Sequence, residues 1–417
     1  MVKPGYKQTE IGVIPEDWIV RRLSECTKRV GVGLATSVTQ HYREDGIPIF
    51  RNLNIKPGYL DDSDILYLDP DFANRQESKK IRTGDVLTVH TGYVGISCVV
   101  PAKYNNALTF TTLITTTDDT LLLPEFLSIY LNSSFGALEI ESLQAGGGRN
   151  NLNVNDFVNF RIPLPTISEQ HKIIEYIKEI ERYLELTSQQ LAKKKAIKQG
   201  AMQELLTGKK RLPGFSNKWG IKTLQELSVE MVDGPFGSDL KTEHYTTNRQ
   251  VRIIQLSNIG ESGWNDANTK YTTFAHAAEL SRCVVQPGAV LIAKMMPAGR
   301  AIICPDNEKG YILGSDVVKV IPNNSVDSRY LVYATKSQFY LDQIADDTQG
   351  STRARTSVSK LRKTAILFPT KEEQIAIATV LHNMDSEIEA LEQKLSKYRQ
   401  VKQGMMQQLL TGKIRLV

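Results

Sequence analysis

Residues 197–212 read IKQGAMQELLTGKKRL and residues 401–416 read VKQGMMQQLLTGKIRL, identical at twelve of sixteen positions and 204 residues apart. A repeat of this length constrains the fold more than any local propensity, because what one copy forms the other must form too. The same offset, without a gap, pairs Pro165-Thr166 with Pro369-Thr370 and Glu169-Gln170 with Glu373-Gln374. Upstream it pairs Ile49 with Ile253, Asn54-Ile55 with Asn258-Ile259, Tyr67 with Tyr271, Gly84 with Gly288 and Gly95 with Gly299. Near the start the offset slips to 201, where Trp18 and Leu23 match Trp219 and Leu224. Coincidence does not hold one register over such a distance. The 417 residues are therefore two copies of one unit plus a short excess.

Each copy has two parts. The first mixes short β-branched runs, such as Asp85–His90, Val94–Val100 and Ala289–Ala293, with Gly, Asn and Pro punctuation. These runs predict strands and turns. Pro124–Leu131 and Ser328–Ala334 predict short helices among them, which makes the part an α+β domain. The second part predicts one long helix. Thr166 and Thr370, each followed by Glu three positions later, predict capping boxes, and Gly208 and Gly412 suit the left-handed stop. The expected organisation is residues 1–165 as a first domain, 166–212 as its helix, 213–369 as a second domain and 370–417 as its helix.

An apolar 4-3 pattern runs along both helices. In the second it is Ile377, Leu381, Met384, Ile388, Leu391, Leu395 and Tyr398, without a gap. In the first it is Ile173, Ile177, Ile180, Leu184 and Leu191, with Thr187 and Lys194 interrupting. That pattern predicts a coiled-coil seam, with the two helices antiparallel and one domain at each end of a rod on the order of 60 Å. The alternative is that each helix packs only on its own domain. Gly200 and Gly404 stand inside these helices and mark either a close backbone approach or a break.

The formal charge of +5 hides an uneven distribution. Segment 193–211 holds seven basic residues and one acid, and segment 394–416 holds six basic residues and no acid. Together they carry +12 and leave −7 on the rest. Two readings stay open: lysines complementing helix ends and keeping a surface soluble, or a docking and phosphate-contacting role. Four cysteines lie far apart without a CxxC pair, which predicts reduced, buried thiols. Six histidines form no HExxH or i, i+4 pair, so no metal is expected. No apolar run reaches the roughly 18 residues of a membrane span, and the amino terminus carries no signal-peptide core, so the expected location is the cytoplasm.

The catalytic motifs are missing. No GxxxxGK[ST] loop occurs, and Gly31-Val-Gly33 is too isolated to be a dinucleotide fingerprint. Pro305-Asp306-Asn-Glu308-Lys309 leaves no room for the strand that separates nuclease acids and predicts a charged turn. Asp69-Pro-Asp-Phe72 lacks the second Pro of a methyltransferase loop and predicts a turn into a helix.

Two similar domains held apart by a rod suit a duplex whose major grooves recur every ~34 Å. Loops that differ between copies would read different half-sites. The candidates are Arg149, Asn150 and Asn151 in one copy and Arg353 and Arg355 in the other, since Arg and Asn suit phosphates and purine edges. Further candidates are His90, Thr91 and Tyr93, their counterpart Lys294, and Arg300, Lys79, Lys80, Arg51 and Asn52. An ordinary polar loop explains each of them as well.

Taken together, the opening Thr9-Glu-Ile-Gly-Val-Ile-Pro-Glu-Asp-Trp18, the doubled Pro-Thr-Xaa-Xaa-Glu-Gln junctions and the doubled Lys-Gln-Gly-Xaa-Met-Gln-Xaa-Leu-Leu-Thr-Gly-Lys ends resemble the specificity (S) subunit of type I restriction-modification systems. The resemblance covers nearly the whole chain. It implies an α+β architecture of two α/β target recognition domains separated by two long antiparallel helices. It implies a non-catalytic subunit that reads a bipartite asymmetric site in double-stranded DNA and docks two methyltransferase (M) subunits, with restriction/translocase (R) subunits joining them. No cofactor is expected in this chain; S-adenosylmethionine and adenine N6 methylation belong to the M subunits. A self-contained modification enzyme and a protein-only scaffold are the alternatives.

Overall fold

The computed structural model describes residues 3–144, 151–295, 297–348 and 355–416. The chain forms two compact units, one from residues 1–188 with 394–417 and one from residues 189–393. The division cuts across the sequence repeat. Each unit holds one α+β domain, the first part of the long helix that follows it, and the last part of the other copy's helix.

In the first unit an antiparallel sheet runs in the order Ser97–Val99, Val86–Val89, Thr112–Thr117, Thr27–Val32. A second sheet runs Leu108–Phe110, Ile47–Arg51, Leu66–Leu68, Tyr42–Arg43, with the first two strands parallel. The second unit repeats both. Its antiparallel sheet is Ala301–Ile303, Val290–Ala293, Val317–Pro322, Ser228–Asp233. Its other sheet holds Tyr311–Leu313 parallel to Val251–Ile254, then Tyr271–Thr272 and Tyr245–Thr246, with Val284–Val285 added at the far edge. The β-branched runs supply these strands because their side chains pack on a pleated surface. Helices Pro124–Leu131 and Ser328–Ala334 cover the antiparallel sheets, burying Phe126, Leu127 and Leu131 in one copy and Tyr330 and Leu331 in the other.

The first long helix, α1, spans Ile167–Leu205, and the second, α2, spans Lys371–Leu409. Every seam position is buried or half-buried, while the intervening positions are mostly exposed. Cross-helix pairs fix an antiparallel sense within each unit. Lys194 pairs with Glu387 at 2.5 Å and Lys198 with Asp385, so one number rises as the other falls. In the first unit Lys402 pairs with Glu181 at 2.7 Å, and the Tyr183 and Tyr398 rings lie 5.8 Å apart. The helices therefore do not pack on their own domains alone: each helix start buries Ile or Leu on its own domain, and each helix also packs against the other. The basic segments acquire a third explanation, since several of their lysines neutralise acids of the facing helix.

Two sequence expectations need correction. Gly200 and Gly404 mark neither a break nor a close approach: the helices run through them, and a Cβ at either would meet nothing within 4 Å. The capping boxes are half made. The Glu169 and Glu373 amides approach Thr166 and Thr370 Oγ1 at 3.3 and 3.4 Å, but the carboxylates turn inward instead of back. Glu373, 0% exposed, accepts from Arg211 Nε and a terminal nitrogen, both at 2.6 Å, and from Trp219 Nε1 at 2.9 Å. Glu169, 1% exposed, accepts from Arg415 at 2.8 and 3.0 Å and from Trp18 Nε1 at 3.1 Å. Each carboxylate ties the domain's tryptophan and the arginine tail of the opposite helix to one helix start. A buried cap would have left both donors without partners.

The adjacent glutamines staple the preceding loops. Gln170 accepts from the Leu123 amide at 2.9 Å and donates to the Leu121 and Pro165 carbonyls. Gln374 does the same with Asp327, Ser325 and Pro369. The doubled Glu-Gln dipeptide is thus the joint between domain and helix. Leu205 and Leu206 in one unit, and Leu409 and Leu410 in the other, bury the ends of the helices in the domain cores.

Candidate nucleic-acid interface

At the end of strand Val86–Val89 the chain turns out through His90, Thr91 and Tyr93. Asn151 bridges Thr91, the Leu152 amide donates to the His90 carbonyl at 2.9 Å, and His90 Nδ1 donates to the Leu152 carbonyl at 3.0 Å. Asn52 reaches the same place, accepting from Thr112 Oγ1 at 3.2 Å with its amide 3.5 Å from the Thr91 carbonyl. Arg51 beside it pairs with Asp64 at 2.8 Å and keeps a buried Nε with no partner among the described residues. Tyr93 is 85% exposed. Arg51, Asn52, His90, Thr91 and Asn151, scattered over a hundred residues of sequence, therefore meet on one face of the first domain, beside the exposed Tyr93.

The second domain builds the equivalent place at the ends of the equivalent strands. Met295 bridges Arg355, and the Thr356 amide donates to the Lys294 carbonyl at 2.8 Å. Arg355 pairs with Asp316 at 2.7 Å, at the position corresponding to Thr112. Asp316 lines a cleft of about 420 Å³ together with Phe236, Gln255 and Lys270. Gln255 is the repeat equivalent of Arg51. In both copies a buried asparagine holds the strand-to-turn transition behind this face: Asn54 accepts from the Arg51 amide at 2.9 Å, and Asn258 from the Gln255 amide at 2.8 Å.

Other candidates lie elsewhere or face inward. Lys294 is buried, with Nζ 2.5 Å from Asp233, so it fastens the loop that follows Asp233. Lys79 donates to the Val32 carbonyl at 2.9 Å, and Lys80 pairs with Glu77 at 2.8 Å and Asn74 at 3.2 Å. Arg300 donates to the Ile259 carbonyl at 3.0 Å. Arg149, Asn150 and Arg353 lie outside the described residues. Sequence reasoning missed Gln255, Asn268, Lys270 and Phe236. The offset of 204 from Arg51 and Asn52 was the signal that leads to Gln255 and the cleft around it.

The chemistry of the rest is structural. Asp306–Lys309 is a turn, and Glu308 accepts from Tyr271 at 2.7 Å and Arg249 at 2.8 Å. Burial alone would raise its pKa, yet these partners hold it below the ordinary value. Asp69 caps helix Pro70–Asn74, accepting from the Phe72 amide at 3.1 Å. The four cysteines are free and buried, and desolvation pushes the thiols of Cys26, Cys98 and Cys304 up to about 12. Among the described residues no group of three or more His, Cys, Asp or Glu is placed to hold a metal ion, and no helix is long and apolar enough to cross a membrane.

A family model described as "Type I restriction modification DNA specificity domain" matches residues 15–196 and 256–398. The chain is 23% identical over 430 residues to the type I restriction enzyme MjaVIII specificity subunit of Methanocaldococcus jannaschii, covering 97% of this chain and 94% of that one. To the StySPI specificity subunit of Salmonella potsdam it is 22% identical, covering 92% and 86%. Among solved structures, the S subunit of a type I restriction-modification system from M. genitalium aligns with TM-score 0.59 at 14% identity, covering 94% and 96%. The HsdS subunit from Thermoanaerobacter tengcongensis aligns with TM-score 0.51 at 18% identity, covering 99% and 100%.

Proposed function

The chain belongs to the type I restriction-modification DNA specificity family and is a non-catalytic DNA-recognition subunit, and from that premise we propose how its two domains divide the work. Each domain reads one half of a bipartite site through the face at its strand ends, and the two halves differ because the faces differ. The observation that carries this reading is the convergence of Arg51, Asn52, His90, Thr91 and Asn151 at the position where the second copy sets Gln255 and Arg355. Repeated scaffolds with different side chains are what an asymmetric split target requires. Arg and Asn on such a face suit guanine and adenine edges in the major groove.

The helices serve as spacers. Thirty-nine residues at ~1.5 Å per residue give each a length of roughly 58 Å, compared with ~34 Å between successive major grooves. Two methyltransferase subunits dock on the chain, bind S-adenosylmethionine and methylate adenine at N6 after flipping it into their own pockets; restriction subunits join that complex. The test uses the chain with its methyltransferase partners. Methylated adenines are mapped before and after residues 49–165 are exchanged for those of another family member. One half-site should change while the other half and the spacing persist. A change in both halves overturns the two-reader reading. Methyl transfer by the isolated chain would make it an enzyme, against the assignment.

A further inference from the structure

Strand Ser228–Asp233 ends in the loop Gly234-Pro-Phe-Gly-Ser-Asp-Leu240, which is clamped at its base. Lys294, buried, holds Asp233 at 2.5 Å, and a Cβ on Gly234 would lie 1.9 Å from the Gly314 carbonyl oxygen, so only glycine lets the two segments touch. The equivalent Gly33 makes the same close approach to Thr109. From this fixed base the loop holds out Phe236, 76% exposed. The first copy has Ala35 at the matching position. Phe236 is thus a large apolar ring presented to solvent from a base that cannot shift.

Phe236 forms the rim of the 420 Å³ cleft, whose wall includes Gln255, Ser257, Asn268, Lys270 and Asp316. Among the described residues the side chains of Ser257 and Asn268 make no hydrogen bond, and the ammonium of Lys270 has no acidic partner. Asn268 sits at φ +57°, in the left-handed region that an asparagine tolerates and most residues do not. Backbone strain beside a set of uncommitted polar groups is a mark of a binding site. Across the rim, Arg355 is held by Asp316 at 2.7 Å.

We infer that this cleft is the base-reading pocket of the second domain: Phe236 packs against a base while Gln255, Asn268 and Lys270 meet base edges in the groove. The inference rests on the DNA-recognition reading and adds residues that the sequence did not single out. Amide side chains match the adenine N6/N7 edge, a lysine the guanine O6/N7 edge, and a phenyl ring the thymine methyl. The repeat equivalents of Phe236, Gln255, Asn268 and Lys270 in the other domain are Ala35, Arg51, Asp64 and Leu66, so the two half-sites read by these positions differ in sequence.

The test uses the full chain assembled with its methyltransferase partners and a DNA library randomised over the target. Three variants are compared with the parent: Phe236→Ala, which installs the other copy's residue, Lys270→Met, and Asn268→Gly, which keeps the left-handed backbone and removes the amide. Discrimination at bases of one half-site should fall by about 5- to 150-fold, with the other half-site and the spacing unchanged. Arg51→Ala should relax the opposite half. Unchanged discrimination in variants that melt like the parent overturns the inference. So does a uniform loss over all sequences, which marks a phosphate contact instead. If the parent assembly methylates no specific site, the DNA-recognition reading itself fails, a result distinct from either.

Discussion

Replacing Glu373 by alanine tests whether the inward carboxylate, and not a helix cap, holds domain and helix together. Glu373 is wholly buried and accepts three hydrogen bonds, two from Arg211 and one from Trp219. Its removal leaves a guanidinium and an indole N–H without partners. Breaking a buried pair by deleting one member costs about 3–5 kcal/mol. The Arg211 side chain is 24% exposed, so water recovers part of the loss and the lower end of the range applies, about 3 kcal/mol. For a unit near 200 residues that lowers the transition by roughly 6–12 °C. The assay is scanning calorimetry combined with hydrogen exchange on peptides covering Gly220–Thr223 and Ala365–Phe368, the strand pair that flanks the joint. Because two units need not unfold in one step, the exchange readout assigns the loss to the second unit. A cycle with Arg211→Ala should return a coupling of about 1–3 kcal/mol, since the double variant leaves neither charge stranded. A melting shift under about 2 °C, or a coupling under about 0.5 kcal/mol, refutes the joint and restores the ordinary cap.

Two other outcomes follow from features of the helices and their ends. Gly200→Ala and Gly404→Ala should each raise stability by about 0.5–1 kcal/mol in urea denaturation, because both lie within helices with open space where the methyl would go; a loss would reveal a contact at that point. Hydrogen bonding from Arg415 holds the Asp17 carboxyl below its usual value of 3.8. A depressed folded pKa gives stability that is complete above the ordinary value and lost as pH falls through the depressed one. Acid melting of the first unit should therefore lose this contribution below about pH 4, and Asp17→Asn should flatten that part of the profile by lowering stability at neutral pH while leaving the acid end unchanged.

The repeat, the strand and helix segments and the helix stops were legible because each is written locally, in periodicity, β-branched runs and glycine placement. Gly208 and Gly412 do take positive φ, +69° and +66°. The inward turn of Glu169 and Glu373 was not legible. The Thr-Xaa-Xaa-Glu spacing is the same whether the carboxylate reaches back or inward, and what decides is an arginine 162 or 246 residues away. The candidate face was half legible. Residue type pointed to Arg51, Asn52, His90, Thr91 and Asn151, but only the strand order brings them together. Residue type also pointed to Lys79, Lys80 and Lys294, whose ammonium groups the fold gives to internal acceptors. Phe236 carried no signal, because an exposed aromatic and a core aromatic look alike in a single sequence.

The division of the chain into units has a temporal side. The second unit is complete once Gln393 has been made, whereas the first waits for residues 394–416, which bring Leu409, Leu410 and the Arg415 that meets Glu169 and Asp17. Chains emerge from the ribosome from their amino end. The domain synthesised first is thus the last to close, and until then the Trp18 indole and the seat for two leucines stand open to whatever else the nascent chain meets.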